Sequence, residues 1–282
     1  MIIYLFIMIL SAYIQCYKNP LATFMCLTSF RTFYPTEEIL MVSNNGYDYT
    51  EMAKYFNAKY YFEDKVLFNR MQLKKEDFDK ALIDYNQDTL IDIFKTVWLD
   101  NLIVKFKYMC DELSGDYIIY LEDDVRINRQ ITTDLHYDLN GFCPNKIGWI
   151  NQINLFNTVS INYHGLSLDN MRYSGHGGSI YNKHFLKKTI ENKELIEDMR
   201  ENFNKYHLDC GITGVEPCQD YCISFFLFLN GGTIGPLSGH VDCPRDDNTT
   251  ATIQHQYKKY YNAEHSYPDL LHTIKHLYRD PS

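Results

Sequence analysis

Three consecutive carboxylates, Glu122-Asp123-Asp124, stand directly after the apolar run Tyr117 to Leu121. Side by side they repel one another. At the carboxyl end of a buried strand they need compensation, most simply by a divalent cation. In open α/β sheets that end is also where ligands bind. Magnesium or manganese held by one or two carboxylates takes its remaining ligands from substrate phosphates, so the run points to a metal–diphosphate site. An acidic surface turn is the rival explanation, and the placement straight after a buried strand tips the reading toward a site. Further along, Gln219-Asp220 opens a strongly apolar run, and Glu216 stands just before it. A carboxylate at a helix N-terminus is kept ionised by the helix dipole and can equally serve as an N-cap. His255 follows the stretch Thr252 to Gln254, and His240 lies in Ser238-Gly-His-Val-Asp242. A lone histidine is more often a surface or hydrogen-bonded residue than a ligand. Lys258 and Lys259 can neutralise a diphosphate or form a solvated basic turn. Gly177 and Gly178, inside Ser174-Gly-His-Gly-Gly-Ser-Ile180, allow close backbone approach or a tight turn.

The hydrophobic pattern supplies the frame for these residues. Ile3 to Ile9 is a continuous apolar run, which reads as a buried parallel strand ending at Ser11-Ala12-Tyr13. Pro20 to Phe33 has helical spacing, with Pro20 in the first turn, and Tyr34-Pro35 breaks it. Glu38 to Ser43 is a second strand, ended by Asn44-Asn45-Gly46, and Tyr49 to Phe56 a second helix. This strand–helix alternation is the rhythm of an α/β fold. Glu63 to Asn86 is highly charged and lacks a clear pattern. Leu90, Phe94, Trp98, Leu102 and Phe106 recur every four residues, a long helix with a buried stripe that ends near Ser114-Gly115. Asp116 to Leu121 is the buried strand that delivers the acids. Asn128 to Asn145 is poorly patterned. Ile147 to Ile153 and Gly177 to Tyr181 read as strands, and Asn182 to Met199 as mainly helical. Asp220 to Leu229 reads as a helix stopped by Asn230-Gly231-Gly232. Thr233 to Pro236 is a short strand or turn, Thr252 to Gln256 a last strand, and Tyr267 to Leu277 a C-terminal helix.

Composition narrows the function. With 282 residues the chain has room for one large or two small domains. A hydrophobic share of 45% against 22% charged excludes a disordered chain. Twenty-seven basic against 36 acidic residues give a net charge of −9, which argues against a general nucleic-acid binder. The many Tyr, Phe, Asn, Ile and Lys residues follow from A/T-rich coding and are not read as a binding signature. Met1 to Leu10 is too short for a membrane span, which needs about 20 apolar residues, and it lacks the basic start of a secretory signal. The eight cysteines include no Cys-x-x-Cys pair and match no familiar zinc spacing. They read as mostly reduced, buried hydrophobes, in a cytoplasmic protein, or one of the host cytoplasm if viral.

Residues 1–126 resemble the nucleotide-sugar half of a GT-A type glycosyltransferase. Residues 127–282 resemble its acceptor-binding half with a C-terminal helix, making one catalytic domain. Ser11 and Tyr13 fall where that superfamily's first strand gives way to a nucleotide-contact turn, and Asn44 ends the second strand. Glu122-x-Asp124 resembles the DxD motif, with Glu in the first place. The resemblance implies that Asp124 binds the metal, that Glu122 contacts the ribose or the metal, and that Asp123 supports them. The stretch with Gly177 and Gly178 resembles the glycine-bearing strand beside the donor sugar. Gln219-Asp220 resembles the Glu-Asp motif that opens a helix in inverting, family-2-like members. That implies Asp220 as the base taking a proton from an acceptor hydroxyl, with Glu216 as the alternative. Many members place a late histidine on the metal, which implies His255 first and His240 second. The implied fold is a Rossmann-like α/β one with a mixed, mostly parallel sheet flanked by helices. The implied reaction is Mn2+- or Mg2+-dependent transfer from a nucleotide-diphosphate sugar, a UDP-sugar, to a hydroxyl of a glycan or glycoprotein acceptor, with inversion. Two alternatives stay open. A sugar nucleotidyltransferase commonly carries a glycine-rich basic loop after its first strand, where this chain has Ser11-Ala-Tyr-Ile-Gln15. A non-catalytic glycan-binding or structural protein on the same fold has no need of intact Glu122, Asp124 and Asp220. The composition fits a large-virus or microbial enzyme that decorates surface glycans.

Overall fold

The computed structural model describes residues 10–44, 46–63, 100–143, 172, 174–199, 219–242, 250–261 and 263–280, with the backbone alone at 101, 219–222 and 264. The strands are β1 Leu10–Cys16, β2 Ile39–Asn44, β3 Lys59–Glu63, β4 Tyr117–Leu121, β5 Arg126–Ile127, β6 Leu139–Gly141, β7 Ile180–Asn182, β8 Ile234–Pro236, β9 His240–Asp242 and β10 Ile253–His255. The helices are α1 Pro20–Phe33, α2 Thr50–Tyr55, α3 Asp100–Glu112, α4 Lys183–Glu191, α5 over 193–199, α6 Gln219–Leu229, α7 Ala263–Ser266 and α8 Pro268–Ile274. Short 3-10 turns cover Lys258–Tyr260 and Lys275–Leu277.

Seven strands form one sheet in the order β3-β2-β1-β4-β7-β6-β8, and β5-β10-β9 form a second. The first four of the large sheet are parallel, β7 runs antiparallel to both β4 and β6, and β6 and β8 are parallel. The fold class is therefore the expected one, a mixed and mostly parallel sheet flanked by helices. Chain order steps outward from β1 to β2 to β3 and then returns to the other side of β1 at β4. The strand order reverses between β1 and β4, the place where α/β sheets open a crevice at their carboxyl ends.

Both faces of the sheet are covered. Leu10, Ala12, Ile14 and Cys16 of β1 pack with Leu21, Leu27 and Phe30 of α1. Tyr13 packs on the other face, in a core shared by Leu102, Phe106 and Met109 of α3 and by Phe225 and Leu227 of α6. Among the described residues no helix is long and apolar enough to cross a membrane. Cys16, Cys26, Cys110 and Cys143 are free thiols, the first three buried.

Several elements differ from the sequence reading. The chain does not turn at Ser11-Ala12-Tyr13, because those residues are the middle of β1. The strand is gripped on both sides, with Ala12 opposite Ile39 through Cys16 opposite Ser43, and Leu10 opposite Tyr117 through Ile14 opposite Leu121. Ser11 Oγ accepts from Gly115 N–H at 2.9 Å, and the Tyr13 ring lies 6.0 Å from that of Tyr120 in the core. The turn after β1 falls at Tyr17-Lys18-Asn19 instead. The helix expected over Asn182 to Met199 is split at Asn192, whose side chain donates to Asn230 Oδ1 and accepts from Leu195 N–H. The strand expected from Gly177 starts only at Ile180. Four strands had no counterpart in the reading: β3, β5, β6 and β9. Ile3 to Ile9, Leu90, Phe94, Trp98, Ile147 to Ile153, Glu216, Cys210, Cys218 and Cys243 lie outside the described residues, as does the side chain of Cys222.

Candidate metal centre

β4 is buried along nearly its whole length, and its carboxyl end carries Glu122, Asp123 and Asp124 into the crevice beside β1. The chain turns at once, Val125 N–H donating to the Glu122 carbonyl at 3.0 Å. It then forms β5, which pairs antiparallel with β10. That pairing returns His255, the last residue of β10, to the acids. Glu122, Asp124 and His255 each present a ligand atom, and these atoms all lie within 4.8 Å of one another. His255 Nε2 is 3.1 Å from Glu122 Oε2 and 3.6 Å from Asp124 Oδ1.

The opposite side of the imidazole is fixed. Parallel pairing of β9 with β10 sets Asp242 directly beside His255, and His255 Nδ1–H donates to Asp242 Oδ1 at 3.1 Å. A carboxylate on Nδ1 settles the tautomer and leaves Nε2 as the ligand atom. Glu122 is also held. Oε1 accepts from the Tyr120 hydroxyl at 2.8 Å, and Oε2 accepts from Gly177 N–H at 3.2 Å. Asp124 is almost fully buried. Its Oδ2 lies 3.9 Å from Lys258 Nζ, and its Oδ1 has no hydrogen-bond partner among the described residues.

The charges answer to this packing. Burial pushes the Asp124 carboxyl up to about 7 despite the pull of His255, with Glu122 and Asp123 adding to the rise. Burial acts most strongly, to raise Glu122, but the bond to and charge of His255, the charge of Lys105 and the Tyr120 bond together outweigh it and hold the carboxyl at about 2. Burial acts to lower His255, yet Asp242, Glu122 and Asp124 together raise it well above the usual histidine range. The imidazolium proton on Nε2 and a divalent cation are thus alternative positive charges for one position. A buried carboxylate oxygen without a donor, a second carboxylate and a neutral imidazole nitrogen form an oxygen-rich set that fits Mn2+ or Mg2+.

Asp123 faces away from this cluster. Its Oδ2 accepts from Asn19 Nδ2 at 2.7 Å and its Oδ1 from the Tyr261 hydroxyl. It ties the turn after β1 to the segment after β10. His240 is buried behind the cluster: Nε2–H donates to the Gly177 carbonyl at 3.1 Å, and it is not one of the three converging groups. Gly177 and Gly178 lie against the protein's own site residues. A Cβ on Gly177 would meet Val125, Glu122 and His255, and one on Gly178 would meet Ile253 and His240. Ser11 and Tyr13 are buried within β1, and Asn44 is buried at the end of β2. Asp220 falls in the first turn of α6, and its side chain lies outside the described residues.

Sequence reasoning missed Asp242, Tyr120, Lys105, Asn19 and Tyr261. Lys105 did carry a signal, since it interrupts the apolar stripe between Leu102 and Phe106. Asp242 carried none, because only the pairing of β9 with β10 gives it a partner.

Neither a family model nor a curated protein matches the chain. Solved structures are similar to it at the level of the overall chain path. The glycosyltransferase GlyE of Streptococcus pneumoniae is 8% identical, with a TM-score of 0.47, and the match covers 96% of this chain and 65% of GlyE. The galactosyltransferase LgtC, solved with donor and acceptor sugar analogs, is 13% identical with a TM-score of 0.45, covering 93% of this chain and 95% of LgtC. Glucosyl-3-phosphoglycerate synthase of Mycobacterium tuberculosis, solved with Mn2+, UDP and glucosyl-3-phosphoglycerate, is 13% identical with a TM-score of 0.34, covering 70% of this chain and 67% of the synthase.

Proposed function

We propose that the chain is a divalent-cation-dependent glycosyltransferase. It takes a sugar from a nucleoside diphosphate sugar, with UDP as the nucleotide, and passes it to a hydroxyl of a glycan or glycoprotein. The observation that carries this reading is the convergence of Glu122, Asp124 and His255 at the carboxyl end of β4, where the strand order reverses. Glu122 Oε2, Asp124 Oδ1 and His255 Nε2 would hold the cation. When bound, Mn2+ or Mg2+ supplies Lewis-acid charge to the diphosphate leaving group. The chain's own residues do the rest. Asp242 orients His255, Gly177 N–H and Tyr120 orient Glu122, and Lys258 adds a positive charge beside Asp124. Asp220 is the base that takes the proton of the acceptor hydroxyl, a role its position in the first turn of a helix suits by keeping it ionised. Attack on the face opposite the leaving group then gives inversion.

The test is thermal-shift or calorimetric binding of UDP, GDP and CMP, each with and without Mn2+. A Mn2+-dependent response to UDP, lost in Asp124→Ala, is the expected outcome. Asp220→Asn should keep that response and lose sugar transfer. A folded chain that responds to no nucleotide would replace this reading with a non-catalytic glycan-binding one.

A further inference from the structure

Lys105 is 1% exposed, in the core between the sheet and α3. A lysine is almost never fully buried unless it is partnered. Its neighbours on the helix face, Leu102, Phe106 and Met109, are apolar core residues. The ammonium sits 4.4 Å from the centre of the Tyr120 ring and 3.1 Å from its hydroxyl oxygen. An ammonium has donors only. It therefore donates to Tyr120 Oη, and the hydroxyl proton goes onward to Glu122 Oε1 at 2.8 Å. The direction of this chain of bonds is set by chemistry, and it ends on a residue of the candidate cation site.

Resting on the cation-site reading above, we propose that Lys105 is a positioning residue for Glu122: acting through the Tyr120 hydroxyl, it engages Oε1 and leaves Oε2 alone to face the cation. Gly177 N–H holds Oε2 on the other side. A glutamate presenting one oxygen suits a small octahedral ion such as Mn2+ or Mg2+. Ca2+ takes more ligands and readily accepts both oxygens of one carboxylate. The relay is thus a selectivity device, built from a core lysine and the strand residue two positions before the ligand.

The experiment measures Mn2+ and Ca2+ affinities calorimetrically on the full chain, with the melting temperature of the metal-free protein recorded alongside. It compares wild type, Tyr120→Phe, Lys105→Met and the double variant. Freed of its donor, Glu122 can turn both oxygens inward. Tyr120→Phe should lower the Mn2+ to Ca2+ affinity ratio by about tenfold, within the range that outer-shell partners command. Lys105→Met should move the ratio the same way by less. Because the two act in series, Lys105→Met should add little once Tyr120→Phe is present. A core lysine with only a packing role would change the melting temperature and leave the ratio alone. An unchanged ratio in Tyr120→Phe, or effects that multiply in the double variant, overturns the relay. If Lys105→Met fails to fold, Tyr120→Phe decides alone. A wild type that takes up no Mn2+ overturns the cation site and the relay with it, whereas Mn2+ binding with an unmoved ratio overturns the relay only.

Discussion

At Gly177 the constraint is the space around the missing side chain. A Cβ there would lie 2.6 Å from Val125 Cγ2, 2.8 Å from Glu122 Oε2 and 3.0 Å from His255 Cδ2. Two of these atoms belong to residues of the cation site, so Gly177→Ala must move the site or its backbone. Overpacking of this kind costs about 1–3 kcal/mol. The variant should be destabilised by that amount in urea and bind Mn2+ at least about tenfold more weakly. Wild-type affinity in a stable Gly177→Ala protein would mean that the loop yields without disturbing Glu122. His240 makes a different prediction. Burial first, then the neighbouring His255 and His176, push it down to about 3, while the Gly177 carbonyl and Asp242 pull the other way. The unfolded chain binds this proton near pH 6.5, and the native state refuses it until about pH 3. Between those values the unfolded state holds more protons, so stability is complete above about pH 6.5 and falls as the pH drops. The slope from this one group is about 1.4 kcal/mol per pH unit. His240→Gln keeps a donor for Gly177 and removes the titration. Its urea stability should therefore lose less than wild type between about pH 6 and pH 4. Parallel pH profiles would show that His240 is charged in the native state.

At the scale of elements, legibility followed length and punctuation. α1 runs over the expected Pro20 to Phe33, because Pro20 starts it and Tyr34-Pro35 ends it. β2 and β4 were visible as apolar runs ended by Asn-Gly and by acids. The end of β1 was misplaced because Ser11 and Tyr13 look like a turn when the neighbours that bury them are unknown. β6, β9 and β10 are three residues each, too short to show alternation. Those short strands carry or flank Asp242 and His255, so the acids of the site were legible while its histidine was only one of two candidates. The end of α6 was legible for a physical reason that can be tested. Gly231 has φ of +80°, its N–H donates to the Phe228 carbonyl, and Gly232 N–H donates to that of Leu227. Among the described residues, its chain neighbours aside, no atom lies within 4 Å of where a Gly231 side chain would begin. Gly231→Ala should thus cost only the left-handed strain, about 1–2 kcal/mol, with Mn2+ binding unchanged. A loss several times larger would show that α6 does not end on this turn.

For the whole molecule, the candidate site is a bridge. Glu122 and His255 are 133 residues apart in the chain, one following a strand of the large sheet, the other within the small one. A net charge of −9 makes the surroundings of a diphosphate unfavourable without a cation, so metal and nucleotide should bind together. A ligand that needs groups from both sheets binds the native state and not the unfolded chain. It then stabilises by about 2.7 kcal/mol at a free concentration one hundred times Kd. For a chain of this size that corresponds to a rise in melting temperature of roughly 5 °C. Mn2+ should produce that rise, a chelator should reverse it, and both Asp124→Ala and His255→Ala should abolish it. Asp242→Asn should shrink it, since His255 would keep its nitrogen but lose the partner that orients it. The pair of abolishing variants is the decisive part. Acidic loops alone can gather Mn2+ weakly, and such binding would survive His255→Ala while falling in Asp124→Ala. A rise that persists without His255 would therefore confine the ion to the β4 turn, and the two sheets would be joined by packing and hydrogen bonds alone.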